Sequence, residues 1–251
     1  MNFKELHYCD EPLVICNVWD VTSAKIAEKA GFKAIGTSSA AIANLLGYQD
    51  GESISFDELD YLIKRIALNT KIPLSVDLES GYHRNPDKVT EYIKRLADVG
   101  VVGINIEDSV VGDKRQLLDA EHFAKIILAI KNQLVKDNIE VFLNVRTDAF
   151  ILNMSDALEE TKKRSLIFEN SGADGLFVPC IEKENDIAII VEHTKLPVNV
   201  MCMPQLPSFN RLQELGVKRI SMGDFIFNNI YHNYESILKT LTANQSFDSI
   251  F

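Results

Sequence analysis

The sequence predicts an α/β fold, a single (β/α)8 barrel of the TIM type that occupies residues 1–251. Eight short runs of Val, Ile and Leu recur along the chain, and such near-continuous apolar runs are typical of parallel strands covered on both faces. Segments with helical signals separate them, and 251 residues, 46% of them hydrophobic, suffice for one barrel. The predicted strands are 13–17, 34–38, 73–78, 101–106, 141–145, 174–178, 197–201 and 218–222.

Capping residues and glycines delimit the helices between these strands. Thr22 or Ser23 is expected to cap the helix that ends before Gly31, and Ser55, with Glu58 as its capping-box partner, begins a helix over 56–68. Four glycines stand between a helix and the next strand, where a left-handed C-terminal position is needed. They are Gly31, Gly100, Gly172 and Gly216.

No linker rich in Pro, Gly or Ser divides the chain, which favours one domain. The long polar connection 109–119 directly follows a strand that ends in carboxylates, so we expect it to form a lid loop. The segment 223–241 is more apolar than a barrel helix requires. It is either a last core helix with a frayed tail or an oligomerisation helix.

Composition argues against two classes of partner and indicates a compartment. The chain has 36 acidic and 26 basic residues, a formal charge of -10, and no basic tract for a phosphate backbone, so nucleic acid is excluded. No segment approaches the roughly 20 apolar residues of a membrane span, and the first residues do not resemble a signal peptide. A cytoplasmic location is expected, with Cys9, Cys16, Cys180 and Cys202 as reduced thiols.

Carboxylates follow two neighbouring strands, and these acids are the strongest functional signal. Asp77 and Glu79 end the third predicted strand, and Glu107 ends the fourth. Because parallel strands end on one face of a barrel, these side chains should converge and repel one another, which a divalent cation would relieve. All-oxygen ligands favour Mg²⁺, with Mn²⁺ possible, over Zn²⁺. The alternative is a solvated acidic turn.

A basic residue and a serine pair also follow predicted strands. Arg146 could bind a substrate carboxylate in a bidentate manner, or it could form a structural salt bridge with Asp148 or Glu107. Ser38 and Ser39 lie at a turn into a helix, where hydroxyls and backbone N–H groups can hold a carboxylate.

The motifs at the strand ends resemble those of the isocitrate lyase and phosphoenolpyruvate mutase superfamily. The resemblance runs from about Asn17 to about Gly223. Its motifs lie at 17–20, 31–39, 46–52, 77–82, 105–108 and 144–148.

This resemblance implies a role for each candidate residue. Asp77 would bind Mg²⁺ directly, while Glu79, which replaces a common aspartate, and Glu107 would order the water around the ion. The remaining residues would bind substrate: Ser38 and Ser39 its carboxylate, Arg146 its oxyanion, and Trp19 and Asp50 the walls of the pocket. The family resemblance also implies a homo-oligomer, a dimer or dimer of dimers.

The segment 109–119 departs from the family pattern. It lacks the cysteine and histidine of the Lys-Lys-Cys-Gly-His loop of the lyases, and it lacks the Lys-Asn-Ser loop of the phosphonate mutases. We therefore predict a Mg²⁺-dependent lyase that cleaves a C–C bond of a small 2-oxo or hydroxy carboxylic acid through a metal-stabilised, pyruvate-like enolate. Asp50 is the preferred general acid or base, and the alternatives are Tyr48, His83 and Lys114.

Three other functions stay open at this point. A P–C bond enzyme of the phosphonopyruvate hydrolase or phosphoenolpyruvate mutase type would use the same metal and oxyanion site. A Mg²⁺-dependent aldolase of an unrelated barrel lineage would also proceed through a pyruvate enolate. A non-catalytic barrel that binds a 2-oxo acid would explain the missing cysteine and histidine.

Overall fold

The computed structural model, which describes residues 2–251, confirms the predicted barrel. The first predicted strand is divided into two halves, one paired with the last strand of the barrel and one with the second, so the ring of parallel strands closes at this point. The barrel strands are β1 (Leu13–Val14), β2 (Cys16–Val18), β3 (Ile35–Thr37), β4 (Leu74–Asp77), β5 (Val101–Glu107), β8 (Phe142–Arg146), β9 (Gly175–Val178), β10 (Val198–Met201) and β11 (Arg219–Ser221).

An outer layer of helices covers the strands and buries a continuous apolar core against them. Their apolar stripes face inward, as amphipathic helices on a barrel require. The helices are α1 (Val21–Lys29), α2 (Ser39–Leu45), α3 (Phe56–Ala67), α4 (Pro86–Ala97), α5 (Ala120–Lys136), α6 (Ala157–Asn170), α7 (Glu184–His193), α8 (Phe209–Glu214) and α9 (Phe225–Asn244).

The helix caps agree with the sequence at α3 and differ at α1. Ser55 and Glu58 form the predicted capping box, each side chain accepting the backbone N–H of the other. The prediction that Thr22 or Ser23 caps α1 is wrong. Asp20 is the cap, because its backbone is still extended after the strand and its carboxylate accepts the N–H of Ser23 at 2.6 Å. The four predicted glycines all have φ between +85° and +94°.

Residues 109–119, the predicted lid loop, contain a β-hairpin. Strands β6 (Ser109–Val111) and β7 (Arg115–Leu117) pair in antiparallel register, with Val111 opposite Arg115. The three residues between them make the turn, and the valines give the first strand its β propensity. The hairpin lies directly after β5, so it projects from the end of the barrel where the strand carboxylates lie.

An N-terminal 3₁₀ helix, Glu5–Tyr8, closes the opposite end of the barrel. His7 is 1% exposed and stacks on Phe142 with ring centroids 4.0 Å apart, while Phe3 meets both rings edge-on. Nδ1 of His7 lies 3.0 Å from the carbonyl oxygen of Phe3. Because a carbonyl can only accept, Nδ1 carries the proton of the neutral ring and Nε2 is left as an acceptor.

Two further properties bear on the predicted location and the predicted redox state. Within residues 2–251, no helix combines the length and the apolar character that a membrane crossing requires. Cys16, Cys180 and Cys202 are half-buried thiols, as predicted.

The position of His7 predicts a loss of stability in mild acid. Burial, and then the positive charge of Arg219, lower the pKa of His7 to about 3. The neutral ring is therefore favoured in the folded state, so this contribution is complete above pH 6.5 and is lost as pH falls towards 3. At pH 5 the loss amounts to about 2 kcal/mol of unfolding free energy.

Urea unfolding at pH 7 and pH 5 tests this expectation. In His7→Gln the difference in unfolding free energy between the two pH values should shrink, whereas the exposed His122→Gln variant should keep the full difference. If the unfolding free energy changed between pH 7 and pH 5 by the same amount in the wild type and in His7→Gln, the expectation would be contradicted.

Candidate active site

The carboxyl ends of the strands bring four of the predicted site residues together. Asp77 ends β4, Glu107 ends β5 and Arg146 ends β8, and Ser39 begins α2. Ser39 Oγ donates to Asp77 Oδ2 at 2.8 Å, and Arg146 Nη1 donates to Glu107 Oε2 at 2.9 Å. Asp77 pairs with Asn105, two residues before Glu107, so the two acids end neighbouring strands on one face of the barrel, as the sequence predicts.

Arg146 forms the salt bridges that the sequence left as an alternative to substrate binding. Its Nε donates to Asp148 Oδ1 at 2.6 Å, and Nη2 lies 3.1 Å from Asp148 Oδ2. Burial alone would lower the pKa of Arg146, but the charges of Glu107 and Asp148 raise it above its ordinary value. A guanidinium has five N–H groups, so the second N–H on each terminal nitrogen is left for another acceptor.

A second arginine, Arg115, enters the site from the hairpin and was missed by the sequence analysis. Its Nη1 pairs with Glu107 Oε1 and donates to Ser109 Oγ at 2.8 Å and to Asp148 Oδ2 at 2.9 Å. Nη2 lies 3.4 Å from Asp50 Oδ2. In the hairpin Arg115 lies opposite Val111, so the two side chains are on the same face. This strand pairing was the only signal that could have located Arg115.

The root of the hairpin is tied to the barrel by a third arginine. Arg164 of α6 donates from Nη1 to Asp108 Oδ2 and from Nη2 to the carbonyl of Leu118, each at 2.9 Å. The N–H of Leu118 donates to the carbonyl of Asp108 at 2.8 Å. Both ends of the hairpin are thus joined at one buried ion pair.

The carboxylate of Glu79 is oriented by two groups of the protein. Tyr82 donates its hydroxyl to Oε1 at 2.8 Å, and the backbone N–H of Glu52 donates to Oε2 at 2.5 Å. Burial, and then the negative charge of Asp50, raise the pKa of Glu79 to about 7. Glu52 in turn accepts from Arg84, Ser80 and the N–H of Tyr82.

Asp77 is the carboxylate with the clearest capacity to bind a metal. Its side chain is buried, Oδ2 accepts from Ser39, and Oδ1 has no partner in the described part of the chain. Oxygens of Glu79 and Glu107 are instead engaged by protein donors. Within residues 2–251, no three Asp, Glu, His or Cys side chains are close enough to hold an ion between them. The donor set fits an ion bound directly by Asp77 and through water by the other two.

Asp50 is the one candidate acid or base that reaches this cluster. Its Oδ1 lies 3.5 Å from Ser39 Oγ, and burial together with the charge of Asp77 raises its pKa. Tyr48 donates to Glu58 outside the site, His83 accepts from the backbone of its own loop, and Lys114 is exposed at the turn of the hairpin.

Ser38 and Trp19 lie nearby but their side chains have structural partners. Ser38 caps α2, its Oγ accepting the N–H of Ala41 at 3.3 Å. Trp19 is 7% exposed and packs edge-on against Phe227 of α9, with ring centroids 5.1 Å apart. Their predicted roles in substrate binding stay predictions.

A cavity of about 500 Å³ opens next to the arginine side of this cluster, beyond the ends of β9 and β10. Cys180, one of its lining residues, lies within the electrostatic reach of Arg146 and Asp148. Its lining includes Phe150, Cys180, Glu182, Lys183, Asp186 and Gln205.

The contacts of Arg115 predict that it holds the hairpin against the barrel. In Arg115→Met, two buried carboxylates lose a partner, at a cost of about 1–3 kcal/mol, so the hairpin should open more often. Hydrogen exchange of the amides in 109–117 should accelerate by about tenfold. Lys114→Met is the matched control, and equal exchange in the two variants would contradict this role.

Comparisons with known proteins identify the family of this chain. The family model described as phosphoenolpyruvate phosphomutase matches residues 3–242. An uncharacterized protein of Mycobacterium tuberculosis is 36% identical over 223 residues, which are 89% of this chain and 82% of that protein. Oxaloacetate decarboxylase 1 of Pseudomonas fluorescens is 30% identical over 227 residues, 86% of this chain and 75% of the relative.

A solved structure gives the same result for the fold. A proposed phosphonomutase from Burkholderia cenocepacia superposes with a TM-score of 0.89 at 34% identity, over 94% of this chain and 97% of that one. Because the family match spans nearly the whole barrel, the chain belongs to the phosphoenolpyruvate phosphomutase family of enzymes.

Proposed function

We propose that this enzyme is a Mg²⁺-dependent carbon–carbon lyase that acts on a small 2-oxo or hydroxy carboxylic acid and releases a pyruvate-type enolate. The observation that carries the proposal is the buried Asp77 carboxylate, which keeps Oδ1 without a protein partner among other carboxylates and two arginines. Oxaloacetate is the first substrate to test. A relative at 30% identity is named oxaloacetate decarboxylase 1.

Asp77 would bind Mg²⁺ through Oδ1, and Glu79 and Glu107 would accept hydrogen bonds from the water on the ion. Mn²⁺ would suit the same hard oxygen donors. When bound, the ion acts as a Lewis acid that withdraws electron density from the 2-oxo group, an effect of about several kcal/mol.

The residues of the chain would place the substrate so that one bond breaks. In oxaloacetate the C3–C4 bond breaks, C4 leaves as CO₂, and its electron pair passes into the enolate of pyruvate. The Ser39 hydroxyl would turn from Asp77 to donate to the substrate carboxylate, and the unused N–H groups of Arg146 would stabilise the negative charge on the enolate oxygen. The hairpin, held by Arg115 and Arg164, excludes water from the site.

Asp50 is proposed as the group that delivers a proton to C3 of the enolate. Its contact with Ser39 places it beside the bound carboxylate, and its raised pKa favours the protonated form. Since Arg115 lies against the other oxygen of Asp50, the hairpin and the proton donor are coupled.

P–C bond chemistry is the second candidate, and it is favoured by the family description and by the phosphonomutase similarity. It would use the same residues, with both arginines on a phosphonate. A non-catalytic barrel that binds a 2-oxo acid is the third candidate, because residues 109–119 offer no cysteine or histidine.

A substrate panel with a matched pair of variants tests the proposal. Pyruvate release is measured from oxaloacetate, 2-methylisocitrate and phosphonopyruvate, with Mg²⁺ and with EDTA. Asp77→Asn should lower kcat/KM by about a thousandfold, the loss of several kcal/mol of stabilisation, while the exposed Asp87→Asn should retain activity. Release from phosphonopyruvate alone would favour P–C chemistry. Metal-dependent binding without any release would favour a binding protein.

We also propose that α9 joins copies of the chain into a dimer or dimer of dimers. Phe227 is its one buried residue, and it packs against Trp19 beside the site. The rest of the helix exposes an unusual number of large apolar side chains, which a second copy would cover. They are Phe225, Ile226, Ile230, Tyr231, Tyr234, Ile237 and Leu238.

Light scattering tests the assembly. The wild type should show two or four times the 28.2 kDa mass of one chain. Ile230→Asp together with Leu238→Asp should shift it to the monomer, because burying two unpaired charges is costly. Ser236→Asp, on the side of α9 opposite Leu238, should leave the mass unchanged. A monomeric wild type would refute the proposal.

A further inference from the structure

The barrel interior directly beneath the candidate site is polar, although such interiors are normally filled by Val, Ile and Leu. The residues that fill it come from six strands and are each less than 9% exposed. We call them the polar layer: Asn17, Ser75, Asn105, Asn144, Asn199, Arg219 and Ser221. Glycines on the neighbouring strands make room for it. A Cβ atom at Gly103 would lie 2.9 Å from Ser75 Oγ, and one at Gly175 would lie 2.8 Å from Asn144 Oδ1.

Arg219 is the only charged member of the polar layer. It is 1% exposed, and its Nη2 crosses from β11 to donate to Asn105 Oδ1 on β5 at 3.2 Å. Among residues 2–251, Nε and Nη1 have no partner. Burial lowers the pKa of Arg219 to about 9, so the guanidinium is still a cation at neutral pH.

Asp77 is the carboxylate whose negative charge acts on Arg219. It is the register partner of Asn105, the residue that Arg219 binds, and its charge is the one that opposes the effect of burial on Arg219. Asp77 Oδ1 is the atom proposed for the ion, so the Arg219 donors Nε and Nη1 need another partner than Asp77. Buried polar atoms of this kind are normally linked by the protein or by enclosed water.

We propose that Arg219 is an electrostatic positioning residue, which offsets from inside the barrel the excess negative charge of the site so that an anionic ligand can bind there. Apart from Asp50, which the proposed mechanism keeps protonated, the site holds four carboxylates, Asp77, Glu79, Glu107 and Asp148, and two cations, Arg115 and Arg146. Arg219 supplies a third cation, which forms no salt bridge within residues 2–251. This inference rests on the proposed binding of Mg²⁺ and a 2-oxo acid.

A fixed internal cation has opposite effects on the two ligands, and this difference distinguishes it from a structural residue. It repels Mg²⁺ and attracts the carboxylate of a 2-oxo acid. Arg219→Met should therefore bind Mg²⁺ about threefold or more tightly and bind pyruvate about threefold or more weakly than the wild type. A residue that merely supports the fold would weaken both.

Calorimetric titrations with MgCl₂ alone, and with pyruvate at saturating Mg²⁺, measure these affinities without turnover. Arg219→Lys keeps the charge and should leave both within about twofold of the wild type. Asn105→Asp is a second variant for the case that Arg219→Met does not fold. Its carboxylate can accept the same hydrogen bonds from Arg219 and Asn144, neutralises Arg219, and should shift both affinities in the directions expected for Arg219→Met.

The possible outcomes separate this inference from the proposed function. Opposite shifts in Arg219→Met or Asn105→Asp support it. If the wild type binds both ligands, and the folded variants bind both as the wild type does or both more weakly, Arg219 has no such role while the proposed function stands. If the wild type binds neither ligand, the proposed function and this inference fail together.

Discussion

The arrangement depends on gathering carboxylates at the ends of parallel strands and neutralising them with arginines. Glu107 and Asp148 each contact both Arg115 and Arg146, so neither acid is buried without a counter-charge. Removing one member of such a buried network leaves another charge unpaired, which costs more than a surface ion pair contributes. One set of ion pairs therefore fixes the relative positions of the strand ends, the hairpin and the loop that carries Asp50.

This network also relates the hairpin to the chemistry. Arg164 fixes the root of the hairpin at Asp108 and Leu118, while Arg115 reaches from its second strand into the acids. Gly51, next to Asp50, lies so close to Val111 that a Cβ atom there would be 2.8 Å from the Val111 side chain. The two segments over the site are thus packed together, and a change in the charge beneath them would act on both.

Much of the fold could be predicted from the sequence, because parallel strands covered on both faces leave uninterrupted apolar runs and glycine is needed where a helix turns into a strand. The convergence of Asp77, Glu107 and Arg146 followed from strand topology alone. Arg115 could not be identified in the same way, because its position depends on a hairpin whose valines were assigned to a loop. Arg219 was missed for another reason. A single arginine at the start of an apolar strand is usually predicted to be exposed to solvent. Only the closed barrel shows that the Arg219 side chain points inward.

The central claim is that the site stabilises a pyruvate-type enolate, and exchange of the methyl protons of pyruvate tests it most directly. Pyruvate is incubated with the enzyme in D₂O, and the methyl signal is followed by proton NMR. We expect loss of the signal that requires both Mg²⁺ and Asp77 and exceeds the rate without enzyme. If pyruvate binds in the presence of Mg²⁺ and its methyl protons do not exchange, the enolate account is contradicted.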